Sequence, residues 1–254
     1  MKIYNAFGIT PTNTYVSAGS DYYIPNIQTD EQKHAAFEAF KKSYNKTDDE
    51  LTEILLAFEN LLDDKTQTYN CMHLFLALGN KFLDEYKDTY AQAVEYFLTH
   101  FYRYDDKKKV AGIALQLNDT LFINSGIKVA LDTILSDNEV YPFQNNSIQQ
   151  LRSLGIGVAG LYVNKSGMGN KGYDVRACLV DEDYAGYVHL SMAFTKDLWI
   201  EGKNVVYCGD KLTQMMLIPV FHTKYEEINE EEYNKIMSKS NRGDSGFGSS
   251  DVKH

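Results

Sequence analysis

The spacing of apolar residues differs between the middle of the chain and its two flanks. Between Thr29 and Ala111, apolar residues recur every three or four positions, which is the period of one face of an α-helix. The clearest set lies just after Thr47: Leu51, Ile54, Leu55, Phe58, Leu61 and Leu62. This segment holds one of the 17 glycines and none of the four prolines, so it contains few turn signals. The pattern predicts helices throughout residues 29–111.

Two threonines in this segment have the spacing of a capping box. In that motif the first residue and a Glu or Gln three positions later hydrogen-bond each other's backbone N–H groups. Thr29 precedes Gln32 in this way, and Thr47 precedes Glu50, so each pair predicts the first turn of a helix. Two more helices and a charged turn are predicted after them: Cys71–Tyr86, Thr89–Tyr104 and Asp105–Lys109.

The flanks of this segment alternate apolar and polar residues, which is the period of a half-buried β-strand. Four runs show the alternation: Leu121 and Ile123; Ile127, Val129 and Leu131; Tyr173, Val175, Ala177 and Leu179; and Val188, Leu190, Met192 and Phe194. Several short strands with turn signals between them predict a mainly β fold, a barrel or jelly roll. The helical segment is then an all-α domain inserted into it.

These patterns predict a division of the chain into four parts. Residues 1–28 form the first part of the β domain, residues 29–111 the helical insertion and residues 112–225 the second part of the β domain. Residues 226–254 begin acidic and become rich in glycine and serine, which is typical of a flexible tail.

Charge and cysteine usage restrict the function classes. The formal net charge of −10 argues against non-specific nucleic-acid binding, which depends on a basic surface. We find no signal-peptide pattern, no apolar run long enough to cross a membrane and no paired cysteine framework. The six histidines are scattered without the spacing of a zinc site. We therefore expect a cytoplasmic protein, in the host cytoplasm if it is viral, that binds neither nucleic acid nor membrane.

Five glycine-marked clusters carry the candidate chemistry. A triphosphate places its charge on non-bridging oxygens, and glycine lets backbone N–H groups approach such oxygens without an intervening side chain. In chain order the clusters are Ala18–Asp21, Lys165–Gly169, Val180–Gly186, Gly209–Gln214 and Arg242–Ser250. Taken singly, each cluster is also typical of an ordinary turn or, at the end of the chain, of a linker.

Taken in this order, the clusters resemble the five motifs of the trimeric, all-β dUTPase family. The resemblance covers Met1–Gln28 and Gly112–Val252, and leaves the helical segment as a large insertion after the first motif. It implies a dUTPase-like β-barrel and Mg²⁺-dependent hydrolysis of dUTP to dUMP and pyrophosphate. It also implies a homotrimer with shared active sites. A viral or phage source fits the insertion, whose role is open between scaffold, docking surface for a protein partner and regulatory module.

The third motif supplies the expected general base. Hydrolysis of a phosphoanhydride needs a water that is aligned with the α-phosphorus and loses a proton as it attacks; a carboxylate at a strand end can do both. The resemblance assigns this role to Asp181. It implies that Ser166 stabilises the leaving pyrophosphate and that Gln214 orients a phosphate or Ser166. Asp21 is expected to bind Mg²⁺ through water, since a hard cation that bridges phosphates needs few protein ligands.

The other implied contacts divide between base, sugar and phosphates. The hairpin Val175–Val180, which includes Leu179, is implied to form the uracil pocket. Tyr184 is implied to pack against the deoxyribose and to exclude a 2′-hydroxyl by its bulk. Further phosphate contacts are implied for Lys165, Ser166 and Gly167. The tail is implied to close the site through Arg242, Phe247, Gly248 and Ser249.

Three positions in the second motif and the hairpin depart from the family pattern. Lys165 stands where arginine is usual, Val175 where a base-reading asparagine is frequent, and Cys178 where glycine is frequent. The last two leave the base preference open. Two other interpretations remain. One is a dCTP deaminase of the same fold, for which Asp174 is the carboxylate in the hairpin; the other is a non-catalytic protein that binds a nucleotide or acts through its helical insertion.

Overall fold

The computed structural model describes residues 1–13, 19–79, 89–131, 153–195, 204–223 and 225–238. The chain forms two compact units, Met1–Phe221 and His222–His254. The first unit contains all the described strands and every described helix except one.

The predicted starts of three helices in the first unit agree with the structure, whereas the predicted helix ends do not. Five α-helices are described: α1 (Asp30–Ser43), α2 (Asp48–Leu61), α3 (Thr68–Ala77), α4 (Tyr90–His100) and α5 (Ser166–Asn170). Both predicted capping boxes are present, at Thr29 with Gln32 and at Thr47 with Glu50. The helix predicted at Cys71–Tyr86 instead begins at Thr68 and ends at Ala77; residues 80–86 lie outside the described ranges.

One part of the segment predicted to be helical is a β-hairpin. The helix predicted at Thr89–Tyr104 ends at His100, and strand β3 (Tyr102–Asp105) pairs with strand β4 (Val110–Ala114). Asp105 closes the turn. Its Oδ1 accepts hydrogen bonds from the N–H groups of Lys107 and Lys108, and its carbonyl oxygen accepts one from the N–H of Lys109 at 2.7 Å. The pairing of β3 with β4 across this turn therefore overrides the local helical periodicity.

The strands form small antiparallel sheets, as expected for the β portion. With β3 and β4 they are β1 (Lys2–Asn5), β2 (Ser20–Tyr23), β5 (Thr120–Asn124), β6 (Ile127–Ala130), β7 (Ile156–Asn164), β8 (Tyr173–Val175), β9 (Leu179–Val180), β10 (His189–Phe194), β11 (Val205–Tyr207) and β12 (Lys211–Phe221). The sheet orders are β1-β6, β5-β10-β8, β11-β4-β3 and β2-β12-β7-β9. The predicted fold class is confirmed: antiparallel sheets with a mainly helical segment inserted after β2. The run predicted as one strand from Tyr173 to Leu179 is divided into β8 and β9.

Helices and strands of the first unit share one hydrophobic core. Phe7 packs edge-on against Phe40 of α1, with ring centroids 5.7 Å apart, and His73 of α3 stacks on Phe40 at 4.8 Å. The Tyr44 hydroxyl donates to the Phe122 carbonyl at 3.1 Å and accepts from the N–H of Asn124 in the same strand. The helical segment is thus fastened to β5 by packing and by hydrogen bonds. The domain boundaries proposed from the sequence remain predictions.

The second unit contains a helix where the sequence predicted a flexible tail. Helix α6 (Glu230–Met237) begins after Asn229, whose side chain accepts from the N–H of Glu232. Three glutamates in its first turn face the positive end of the helix dipole, which explains why this acidic stretch is helical. Among the described residues, no helix is both long and apolar enough to cross a membrane.

Candidate functional site

Three of the five motifs meet at one end of the sheet β2-β12-β7-β9. Asp21 of the first motif lies on β2, and Gln214 of the fourth motif lies opposite it on β12. Gln214 also lies opposite Val163, two residues before Lys165 of the second motif. Residues separated by up to 190 positions in sequence therefore share one surface.

Asp21 is held between two lysines from different motifs. Its Oδ1 accepts from Lys165 Nζ at 2.8 Å and its Oδ2 from Lys211 Nζ at 2.9 Å, while its side chain is only 13% exposed. Burial by itself raises the pKa of Asp21, but the hydrogen bonds and charges of the two lysines outweigh it and hold the pKa below its ordinary value. The three groups carry one net positive charge, which suits an anionic ligand.

A β-bulge directs Lys211 toward this cluster. The register of β12 against β2 shifts between Lys211 and Thr213, which adds a residue at this point. Lys211 lies opposite Tyr23, over whose ring its ammonium group sits 5.6 Å from the centroid, and reaches Asp21 from there. Lys211 belongs to the fourth motif, and its pairing with Asp21 is visible only in the fold.

Ser166 and Gly167 lie exposed at the start of α5, directly after Lys165. Lys165 occupies the cap position without a side-chain capping bond, and its carbonyl accepts from the N–H of Met168 at 2.8 Å. A methyl group added at Gly167 would meet nothing within 4 Å inside the chain. Packing within the chain therefore does not require glycine at this position.

The hairpin predicted to bind the base lies along β7. Leu179 and Val180 pair with Leu161 and Gly160, and the Cys178 carbonyl accepts from the Tyr162 N–H at 2.6 Å. The Leu179 side chain is 62% exposed, whereas Val180 is half-buried and packs against the core. The residues predicted to form the pocket are thus held against β7 by backbone pairing.

Val175 and Asp174 at the start of this hairpin are already engaged within the chain. The Val175 side chain packs against the hydrophobic core, and its N–H donates to Asn164 Oδ1 at 2.8 Å. Asp174 accepts from Asn164 Nδ2 at 2.9 Å and from the Thr195 hydroxyl at 3.2 Å. Both oxygens of Asp174 therefore serve the structure, which argues against this carboxylate as the catalytic group of a deaminase.

Asp181 follows the hairpin in an exposed turn. The Tyr184 N–H donates to the Asp181 carbonyl at 3.2 Å, and the Tyr184 hydroxyl donates to the Tyr187 carbonyl at 2.8 Å. A methyl group at Gly186 would overlap that tyrosine hydroxyl, so the glycine leaves space for the ring. Within the described ranges the Asp181 carboxylate makes no hydrogen bond or ion pair. Glu182 beside it differs, because it accepts from the Val158 N–H at 3.3 Å.

Asp181 and Ser166 of one chain lie beside different parts of β7, its middle and its end. Val180, next to Asp181, pairs with Gly160, whereas Ser166 lies beyond Asn164. The four steps from Gly160 to Asn164 span roughly 13 Å at the rise of a β-strand. That separation is too large for both side chains to act on one phosphate group.

The remaining predicted site residues lie outside the described ranges: Arg242, Phe247, Gly248 and Ser249. In the part of the chain that is described, no three His, Cys, Asp or Glu side chains form a group that could hold a metal ion. Because both oxygens of Asp21 already accept from lysines, this carboxylate would hold Mg²⁺ only through water, and phosphate oxygens of the substrate would have to supply the direct ligands.

Comparison with known proteins identifies similar sequences over the second part of the chain. The sequence model of the dUTPase family matches residues 118–251. A deoxyuridine 5′-triphosphate nucleotidohydrolase of Legionella pneumophila (strain Paris) is 34% identical over 98 residues, which is 37% of this chain and 57% of that protein. The protein of the same name from Vaccinia virus (strain Copenhagen) is 27% identical over 94 residues, with the same coverage. The chain spans 57% of the length of these curated relatives.

Solved structures give a weaker likeness. A mutant dUTPase of Staphylococcus bacteriophage 80alpha with dUpNHpp has a TM-score of 0.38 at 15% identity, and the alignment covers 59% of this chain and 90% of that one. The native dUTPase of EIAV has a TM-score of 0.30 at 15% identity, with 52% and 92% covered.

Proposed function

Because the chain belongs to the dUTPase family, we propose that it hydrolyses dUTP to dUMP and pyrophosphate with Mg²⁺, at sites shared between the subunits of a homotrimer. The observation that carries the proposal is the convergence of Asp21, Lys165 and Lys211 beside Ser166. It supports the proposal because it brings cations and hydrogen-bond donors of three motifs together on one surface.

The lysine cluster supplies the phosphate end of the site. Lys165 and Lys211 are each partly exposed, so they can contact phosphate oxygens while Asp21 keeps them in place. The Ser166 hydroxyl and the N–H groups of α5 donate to the oxygens of the leaving pyrophosphate, and Gln214 orients this group from β12. Two lysines thus compensate for the absence of a bidentate arginine at position 165.

Asp181 is the proposed general base. Its carboxylate is exposed and makes no bond to the described residues, so it is available to accept a proton from a water in line with the α-phosphorus. Tyr184 is held beside it by the Asp181–Tyr184 turn, where the ring packs against the deoxyribose and leaves no space for a 2′-hydroxyl. Asp21 would hold Mg²⁺ through water, and the ion would supply positive charge against the phosphates.

The separation along β7 supports the shared site. Since Asp181 and Ser166 of one chain are at least roughly 13 Å apart along the strand, a single nucleotide contacts Asp181 of one subunit and Ser166 of another. The tail residues Arg242, Phe247, Gly248 and Ser249 complete the same site as a lid, with the arginine on the γ-phosphate.

A panel of nucleoside triphosphates tests the proposal. Purified protein with Mg²⁺ should release pyrophosphate, not single phosphate, from dUTP and should leave UTP intact. Release of ammonia from dCTP would indicate a deaminase instead. It would contradict the argument that Asp174 is not catalytic because Asn164 and Thr195 engage it. Binding of dUTP without any product would indicate a nucleotide-binding protein and would refute the proposed hydrolysis.

A further inference from the structure

We infer that Asn164 is a positioning residue that fixes the base-binding hairpin of this site; the inference rests on the proposed function. Asn164 makes side-chain hydrogen bonds to two adjacent residues of β8, Asp174 just before the hairpin and Val175 at its start. Its Oδ1 accepts from the Val175 N–H at 2.8 Å, and its Nδ2 donates to Asp174 Oδ1 at 2.9 Å. The amide therefore binds the hairpin through both its donor and its acceptor.

The position of Asn164 at the end of β7 explains why it contacts the hairpin through its side chain. Along β7, the residues Gly160, Leu161 and Tyr162 hold Val180, Leu179 and Cys178 through the backbone. The strand ends at Asn164, whose backbone lies opposite Thr213 of β12 on the other edge. Its side-chain amide therefore makes a further contact with the hairpin, at Val175, beyond the part that is held by backbone pairing.

The second bond fixes which way the hairpin leaves β8. Asp174 is held from two sides, by Asn164 and by the hydroxyl of Thr195. With the Val175 side chain in the core and its N–H bonded to Asn164, this residue offers the base neither a side-chain amide nor a donor. Selection of the base therefore depends on the later hairpin residues, whose position follows from the anchor at Asn164.

Asn164 also directly precedes the phosphate-binding residues Lys165 and Ser166. A displacement of Asn164 therefore alters the end of β7 that carries them. The expected effect of losing the anchor is a change in base selectivity together with a lower kcat/KM, while the trimer and the core stay intact.

An exchange of the two side chains tests the inference. Asn164→Asp places two carboxylates against each other, so the hairpin should shift and kcat/KM for dUTP should fall by about tenfold or more, as for a lost hydrogen bond to a charged group. The ratio of dUTP to dCTP turnover should fall with it. Adding Asp174→Asn restores the pair with donor and acceptor reversed, and kcat/KM and the ratio should return close to those of Asp174→Asn alone.

The control is Asn60→Ala on the exposed face of α2, which should change neither quantity. Hydrogen exchange without nucleotide gives an independent measurement, because Asn164→Ala should speed exchange of the Val175 amide. The inference is overturned if Asn164→Asp keeps wild-type turnover and selectivity, if the double variant stays as impaired as Asn164→Asp, or if Val175 exchange is unchanged. A wild-type protein that leaves dUTP intact would refute the proposed function, and Val175 exchange would still decide whether Asn164 fixes the hairpin.

Discussion

Replacing His73 with phenylalanine should make the protein more resistant to acid. His73 lies on α3, where the helical segment packs on the strands, and is 1% exposed. Its ring stacks on Phe40 and contacts Phe7, so a phenylalanine of similar shape can take its place. Burial disfavours the charged imidazole, and with the charge of His189 it lowers the pKa of His73 from 6.5 to about 3.

The magnitude follows from the difference between the folded and unfolded states. Because the pKa is depressed in the folded protein, His73 takes up a proton on unfolding at any pH below 6.5 and above about 3. Its contribution to stability is therefore fully present above pH 6.5 and is lost as the pH falls. Between pH 7 and pH 5 the free energy of unfolding should drop by about 2 kcal/mol through this residue alone.

Urea unfolding at pH 7 and pH 5 measures this effect. The loss of stability between the two pH values should be smaller in His73→Phe than in the wild type by about 2 kcal/mol. His34→Gln, at an exposed position on α1, is the control and should show the wild-type loss. Equal losses of stability in His73→Phe and the wild type would show that His73 is not a buried neutral imidazole. They would refute the packing described for His73 between the helical segment and the strands.

Two further predictions concern the site. Gly186→Ala should displace the Tyr184 ring, because the added methyl overlaps the tyrosine hydroxyl; UTP hydrolysis should rise relative to dUTP in steady-state assays, and an unchanged ratio would remove Tyr184 from sugar selection. Lys211→Met should raise the KM for dUTP roughly tenfold by removing a charged contact to phosphate. Lys108→Met, on the surface beside Asp210, is its control and should leave the KM as it is; a KM equally unaffected in Lys211→Met would exclude this lysine from phosphate binding.

Local signals in the sequence predicted much of the fold. The capping boxes at Thr29 and Thr47 mark the starts of α1 and α2 because each involves only residues three positions apart. The alternation around Leu121 and Ile123 predicted β5 for the same reason. The hairpin that begins at Tyr102 was missed because its strand state depends on pairing with β4 and β11.

The candidate site divides in the same way. The motifs gave Asp21, Lys165 and Asp181 as chemistry-bearing residues, since each stands in a short, recognisable pattern. The contact of Lys211 with Asp21 depends on a β-bulge between strands far apart in sequence, and the anchor at Asn164 on an amide that reaches the hairpin from the end of β7. No local pattern encodes either contact.

Mixed trimers test the central claim, hydrolysis of dUTP at a site shared between subunits. Asp181→Asn lacks the base, and Lys165→Ala/Ser166→Ala lacks the phosphate contacts, so each parent alone should release almost no pyrophosphate. Co-expressed at equal amounts, they should regain activity in about one quarter of the sites, those that receive an intact Asp181 from one subunit and an intact Ser166 from another. Mixed trimers that bind dUTP but release no pyrophosphate at any ratio would contradict the account.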